Sequence, residues 1–176
     1  MKRVMFLILI ILVSKPVLAC SIAGDGKEHQ VGKEIVQFSD LILHVVALDY
    51  VKLPRYDPRK DSFFTNASAD STVRFRVVEV VKGKYEPKEI VLSGFLGNSD
   101  YWNDSKTVPY NFVRPSGRSG SCFANTYRQG GEFLFMLKKT KTGEYTQFWY
   151  VLAPTEEQIH PRNDSWLQWV KNEVKR

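Results

Sequence analysis

Cysteine is nearly absent from this chain: there are two among 176 residues, Cys20 and Cys122. So small a number excludes a disulfide-dense scaffold and any zinc site built on a cysteine cluster. Histidine is equally scarce, and His29, His44 and His160 lie too far apart for the ligand spacings of a metal centre. No Gly-x-Ser-x-Gly elbow, His-Glu-x-x-His helix or phosphate-cradling loop occurs. Acidic residues are scattered, so no catalytic carboxylate pair stands out. The unbroken apolar run at residues 4–13 is too short to span a bilayer as a stable helix. Repeats, low-complexity tracts and a domain linker are also missing. These absences leave an enzyme, a cofactor or an intrinsic metal without specific support.

What is present begins at the N-terminus. Lys2 and Arg3, the apolar run, and then Pro16-Val17-Leu18-Ala19 have the order of a secretion signal cleaved after Ala19. The expected organisation is therefore a signal peptide over 1–19 and one domain over 20–176. Removal of Lys2, Arg3 and Lys15 takes the basic count from 25 to 22 against 19 acidic residues, a net charge near +3. A charge that small gives no reason to invoke nucleic acid. The mature chain would be secreted or periplasmic and would start at Cys20. Two fates of that residue stay open. In an oxidising compartment Cys20 and Cys122 would pair, closing a loop worth up to about 4.7 kcal/mol. Alternatively, Val17-Leu18-Ala19-Cys20 is similar to a bacterial lipobox, and a lipidated Cys20 would anchor the chain to the envelope membrane.

The mature portion is rich in Val, Phe, Tyr and Trp, as in a mainly β domain. Five segments read as strands. Residues 41–50 (LILHVVALDY) are nearly continuously apolar, as expected for a central strand, whereas 72–81 (TVRFRVVEVV) alternate. Residues 89–95, 132–137 and 147–152 complete the set, with Lys141-Thr142-Gly143 as a hairpin-type turn. Asn163-Asp164 can cap a helix reaching about residue 174. The expected fold is a five-stranded, OB-fold-like closed barrel with a C-terminal α-helix, a β-sandwich being the second choice.

Two connections, 52–71 and 98–120, are long enough to carry function. The second holds Tyr101, Trp102, Tyr110 and Phe112 with Arg114 and Arg118. Aromatics and arginine dominate binding surfaces, so Tyr101 and Trp102 are candidate contact residues for a protein partner. The competing reading folds some of these rings back to cap the barrel. His44, in the most apolar strand, reads as a structural histidine.

Several motifs occur in an order that resembles the netrin-like superfamily of tissue inhibitors of metalloproteinases (TIMP) and their bacterial relatives. They are Cys20-Ser21, Phe38-Ser39-Asp40-Leu41-Ile42-Leu43, Phe75-Arg76-Val77-Val78-Glu79-Val80-Val81-Lys82-Gly83, Gly120-Ser121-Cys122-Phe123 and Gly131-Glu132-Phe133-Leu134-Phe135. The resemblance implies an OB-type barrel with no enzymatic activity. It also implies that the Cys20 α-amine and carbonyl would chelate the zinc of a partner metalloprotease, with Cys122 as tether and Ser21 in the specificity pocket. Ile22 stands where animal inhibitors have a second cysteine, so only one bridge is available. The alternative is a lipid-anchored envelope lipoprotein with a structural or assembly role.

Overall fold

A computed structural model describes residues 31–54, 71–118, 125–148, 153–161 and 163–176. Cys20, Ser21, Cys122, His29 and the signal segment lie outside the described residues.

Strand β1 (Leu41–Lys52) is the centre of the molecule, and its apolar run explains why. Successive side chains of a strand point to opposite faces, so a run apolar at every position needs a core on each side. Leu41, Leu43, Val45 and Ala47 enter one core; Ile42 enters the other. On one flank β1 pairs antiparallel with β2 (Thr72–Lys82), which in turn pairs with β3 (Glu89–Ser93). After β3 the short β4 (Phe95–Gly97) leaves the sheet and pairs in parallel with β5 (Thr126–Arg128). On its other flank β1 pairs with β6 (Glu132–Lys139). The far edge of β6 is shared between β7 (Tyr145–Gln147) along its last residues and β8 (Glu156–Ile159) along its first.

The first core lies on the concave side of this sheet, where Phe75, Tyr127, Phe133 and Phe135 meet mostly edge to face, with centroids 4.8–6.0 Å apart. Gly94 is needed here: a Cβ on it would collide with the Tyr127 ring. The second core lies between the opposite face and two helices, α1 (Val31–Phe38) and the C-terminal α3 (Ser165–Val174). Ile35, Val36, Trp166, Leu167 and Val170 pack there on Ile42, Leu134, Met136 and Ile159. A four-residue turn of helix, α2 (Pro115–Arg118), ends the long second connection. Asp164 caps α3 by accepting the Leu167 N–H at 2.9 Å.

The chain is thus mainly β, with eight strands and three short helices among the described residues, six strands forming one antiparallel sheet. The ends of the sheet, β3 and β7, curl towards each other. Side chains of β7 reach across: Gln147 Nε2 donates to the carbonyl of Ser93 on β3 at 3.0 Å, and Tyr145 Oη to that of Lys84 in the β2–β3 connection at 3.3 Å. No ladder joins β3 to β7, so the five-stranded closed barrel expected from the sequence is not seen among the described residues. The first four expected strands occur as β1, β2, β3 and β6. The fifth, 147–152, does not stand as expected: β7 covers 145–147, Phe148 is outside any strand, and 149–152 lie outside the described residues. The polar strand β8 and helix α1 had no counterpart in the expectation.

Candidate functional site

β8 has the sequence Glu-Glu-Gln-Ile, and all four residues are buried. Its backbone satisfies one edge of β6, which forces charged side chains into the interior. Such groups are tolerated only when hydrogen-bonded, and here the partners come from the long second connection. Residues 98–114 wrap around the strand and are fastened to it on both faces.

On one face Gln158 Oε1 accepts the Tyr101 N–H at 2.8 Å, while its amide donates to Asp100 Oδ1. Trp102 forms a parallel bridge to the same Gln158 backbone. On the other face Glu157 accepts the Arg114 N–H at 3.0 Å and the Asn103 side-chain amide at 2.8 Å. Asn103 also donates to the Phe112 carbonyl at 2.8 Å and accepts the Ser105 N–H at 2.9 Å, which closes the turn within the loop.

Arg114 locks the C-terminal end of the loop. Its guanidinium is fully buried, donates to the carbonyls of Glu156 and Thr126 at 2.8 and 2.7 Å, and lies over the Tyr127 and Phe133 rings. Burial lowers its pKa from the ordinary guanidinium value, and Glu157 is the strongest of the charges opposing that. Tyr127 Oη donates a very short hydrogen bond to Glu156 and accepts one from Gln147 Nε2 at 2.8 Å. Burial lifts the Glu156 carboxyl to about 7, against the opposing pull of Tyr127, Arg114 and Gln147. Burial likewise pushes the Tyr127 phenol well above its usual range.

What this network presents outward is aromatic. Tyr101 and Trp102 are half-buried, and the Trp102 ring stacks on exposed His160 at 4.0 Å between centroids. Phe112 is 41% exposed. Beside them Arg128 pairs with Asp100 at 3.2 Å. Tyr110 belongs to the second core, stacked on Trp166 at 4.8 Å, so of the four loop aromatics one folds inward. Tyr101 and Trp102 are therefore brought together on one strand edge, whereas Arg114 is interior scaffold and no part of a surface. His44 is buried, with Nε2 at 2.6 Å from Glu132 Oε2, as a structural histidine should be.

Glu156, Glu157, Gln158 and Tyr127 escaped the sequence reading. No local signal marked the strand: Glu-Glu-Gln-Ile is three polar residues followed by one apolar one, a pattern that reads as a loop. Among the described residues no cluster of His, Cys, Asp or Glu could hold a metal, and no helix is long and apolar enough to cross a membrane. A groove of about 420 Å³ at the C-terminal ends of α1 and α3 is lined by Lys33, Lys82, Glu173 and Arg176. Its cations are already engaged: Lys82 Nζ donates to the Val36 and Gln37 carbonyls, and Lys33 and Arg176 face Glu173. No protein-family model matches the chain, and no curated protein matches it either.

Proposed function

We propose that the mature chain is an exported, non-enzymatic binding module that contacts a protein partner through the 98–114 loop. The supporting observation is that this loop is fastened at Tyr101, Asn103 and Arg114 while Trp102 and Phe112 remain partly exposed. A loop held before binding loses little conformational entropy on binding, and aromatic rings supply most of the contact energy at protein interfaces.

The TIMP-like resemblance refines this reading. The curled sheet, with its ends joined through Gln147 and Ser93, is consistent with an open OB-type barrel. On this reading the partner is a zinc metalloprotease, and the Cys20 amine and carbonyl take the open position on its zinc, with Cys122 holding Cys20 in place and Ser21 entering the adjoining pocket. The α-amine has an ordinary pKa near 7.7–8.0, so its deprotonation on binding costs little at neutral pH.

The test starts from the intact mass of the mature protein with and without reductant. An unmodified Cys20 that gains two hydrogens on reduction permits chelation. A lipid adduct replaces it with the membrane-anchored alternative, because acylation removes the ligand. Inhibition is then measured on a panel of purified zinc metalloproteases. The reading expects inhibition that one extra alanine before Cys20 abolishes and Trp102→Ala weakens at least about tenfold. Inhibition unaffected by both changes would sink it.

A further inference from the structure

Charge is unevenly spread between the two ends of the sheet. At one end lie the β2–β3 connection (82–88), the β6–β7 hairpin (138–144) and the junction of α1 with β1. Asp40 binds them into one surface. It accepts from Lys138 Nζ at 3.0 Å and from the Lys139 N–H at 2.9 Å, and a Cβ on Gly83 would collide with its carbonyl. Tyr145 completes the join, with Oη on the Lys84 carbonyl and its ring 6.0 Å from that of Tyr85. These segments carry Lys82, Lys84, Lys88, Lys138, Lys139 and Lys141 against Asp40, Glu86 and Glu144, a net charge of +3. That equals the net charge of the whole mature chain, whose other 16 basic and 16 acidic residues cancel. Lys82 and Lys138 also close local structure by donating to the last carbonyls of α1. Lys84 and Lys141 are exposed and have no ion pair among the described residues.

Every cation of this end is a lysine. Lysine presents a hydrated point charge and lacks the planar fork of arginine, so the surface suits a diffuse negative field better than bidentate capture of single anions. Aromatic rings stand among the charges. Phe38 is 52% exposed, with Lys138 Nζ 4.0 Å from its centroid; Lys139 Nζ lies 5.8 Å from the half-buried Tyr145 ring. Lysines around an exposed ring, with tyrosines alongside, suit a lipid interface, where the ammonium groups meet headgroups and the ring meets the acyl boundary. A soluble polyanion would engage the lysines and leave Phe38 unused.

We infer that this lysine-rich end docks the protein peripherally on a membrane surface rich in anionic phospholipid. The site goes beyond the binding reading above and is separate from the 98–114 loop. β8, to which the loop is fastened, pairs with the first residues of β6, whereas the hairpin leaves its last, about 23 Å further along the strand. Docking by the lysine end therefore leaves the loop facing away from the membrane. It needs no lipid on Cys20.

The mature chain, produced without its signal peptide so that Cys20 carries no acyl group, is mixed with vesicles of phosphatidylcholine alone or with phosphatidylglycerol added, and the bound fraction is read by sedimentation. Binding is expected to the charged vesicles only, and should fade as salt screens the surface. Lys84→Gln with Lys141→Gln should weaken it about 25-fold, at about fivefold per lysine. Lys52→Gln with Lys106→Gln makes the same change of net charge at the far end of β1 and in the 98–114 loop, and should weaken it less than about threefold. Phe38→Ala should weaken vesicle binding at least about threefold and leave binding of polyglutamate, a soluble polyanion, unchanged. All five side chains are exposed, and unchanged urea midpoints show that the variants fold. No binding to charged vesicles, or equal losses in the two lysine pairs, overturns the inference. So does a Phe38→Ala variant that binds vesicles as the wild type does, because the surface is then a general polyanion site. No protein partner takes part, so failure here leaves the binding reading intact, and failure of the inhibition panel leaves the docking surface intact.

Discussion

Replacing Glu157 by Gln asks whether the loop is held by charge or by shape alone. The Glu157 side chain is completely buried; its carboxylate accepts the Arg114 N–H and the Asn103 amide, and it is the main charge supporting the buried Arg114 guanidinium. An amide keeps one acceptor oxygen but turns its NH2 towards the other donor. One good hydrogen bond becomes a donor–donor contact, which costs about 1–3 kcal/mol. Loss of the counter-charge of a buried cation costs about 3–5 kcal/mol. Both losses fall on the same side chain and overlap, so about 3–4 kcal/mol is expected in total. Glu156 sets the upper bound. Once Glu157 is neutral, Glu156 is the remaining carboxylate beside Arg114, and it releases its proton at a lower pH to take over the role. Urea unfolding at pH 7 of the wild type, Glu157→Gln, Arg114→Met and the double variant measures this. The double variant should lose much less than the two single losses combined, because no uncompensated charge is left. A Glu157→Gln loss below about 1 kcal/mol, or simple additivity, would refute the charge argument.

Two further outcomes follow from single contacts. Glu156 is raised in the fold from 4.5 to about 7, so the stability it contributes is complete below pH 4.5 and is lost as pH rises through 7, about 3 kcal/mol in all; urea midpoints that stay flat from pH 5 to pH 8 would contradict this. Asp40 works in the opposite sense, held below its usual range by the Lys139 N–H and by Lys138, and its contribution is lost on acidification below about pH 4, outside that window. Gly94→Ala forces a methyl group against the Tyr127 ring and should cost about 1–3 kcal/mol by thermal or urea unfolding; a neutral result would mean that β4 and Tyr127 can separate freely.

The parts of the fold legible in the sequence are those governed by apolar pattern. β1 was visible because a strand buried on both faces needs an unbroken apolar run, and β2 because Arg74 and Arg76 alternate with Val73 and Phe75. The C-terminal helix was visible through Asp164 and the spacing of Trp166, Leu167 and Val170. Helix α1 was hidden because one of its supports is distant in sequence: Lys82 caps its last carbonyls from the end of β2. β8 was hidden for a related reason. Its burial depends on Arg114, Tyr127 and Asn103, and no local pattern of hydrophobicity reports a partner forty residues away. Tyr101 and Trp102 were legible as surface candidates from composition, but what holds them was not.

The polar character of β8 is costly in stability, since apolar residues of similar volume in such a site are often neutral or better. Its return lies in register. Glu156 and Gln158 face the side of Tyr127 and Tyr101, while Glu157 and Ile159 face the side of Arg114 N–H, Asn103 and the second core. Because a strand has a period of two, a slip of one residue would put Glu157 against the Tyr127 and Phe133 rings and Glu156 among the apolar side chains of the helices. An all-apolar strand would pay no such penalty and could dock on β6 in either setting. The carboxylates therefore do for the loop what apolar packing does for the sheet. They admit one alignment, and in it the Tyr101 N–H, the Asn103 amide and the Arg114 N–H each find an acceptor.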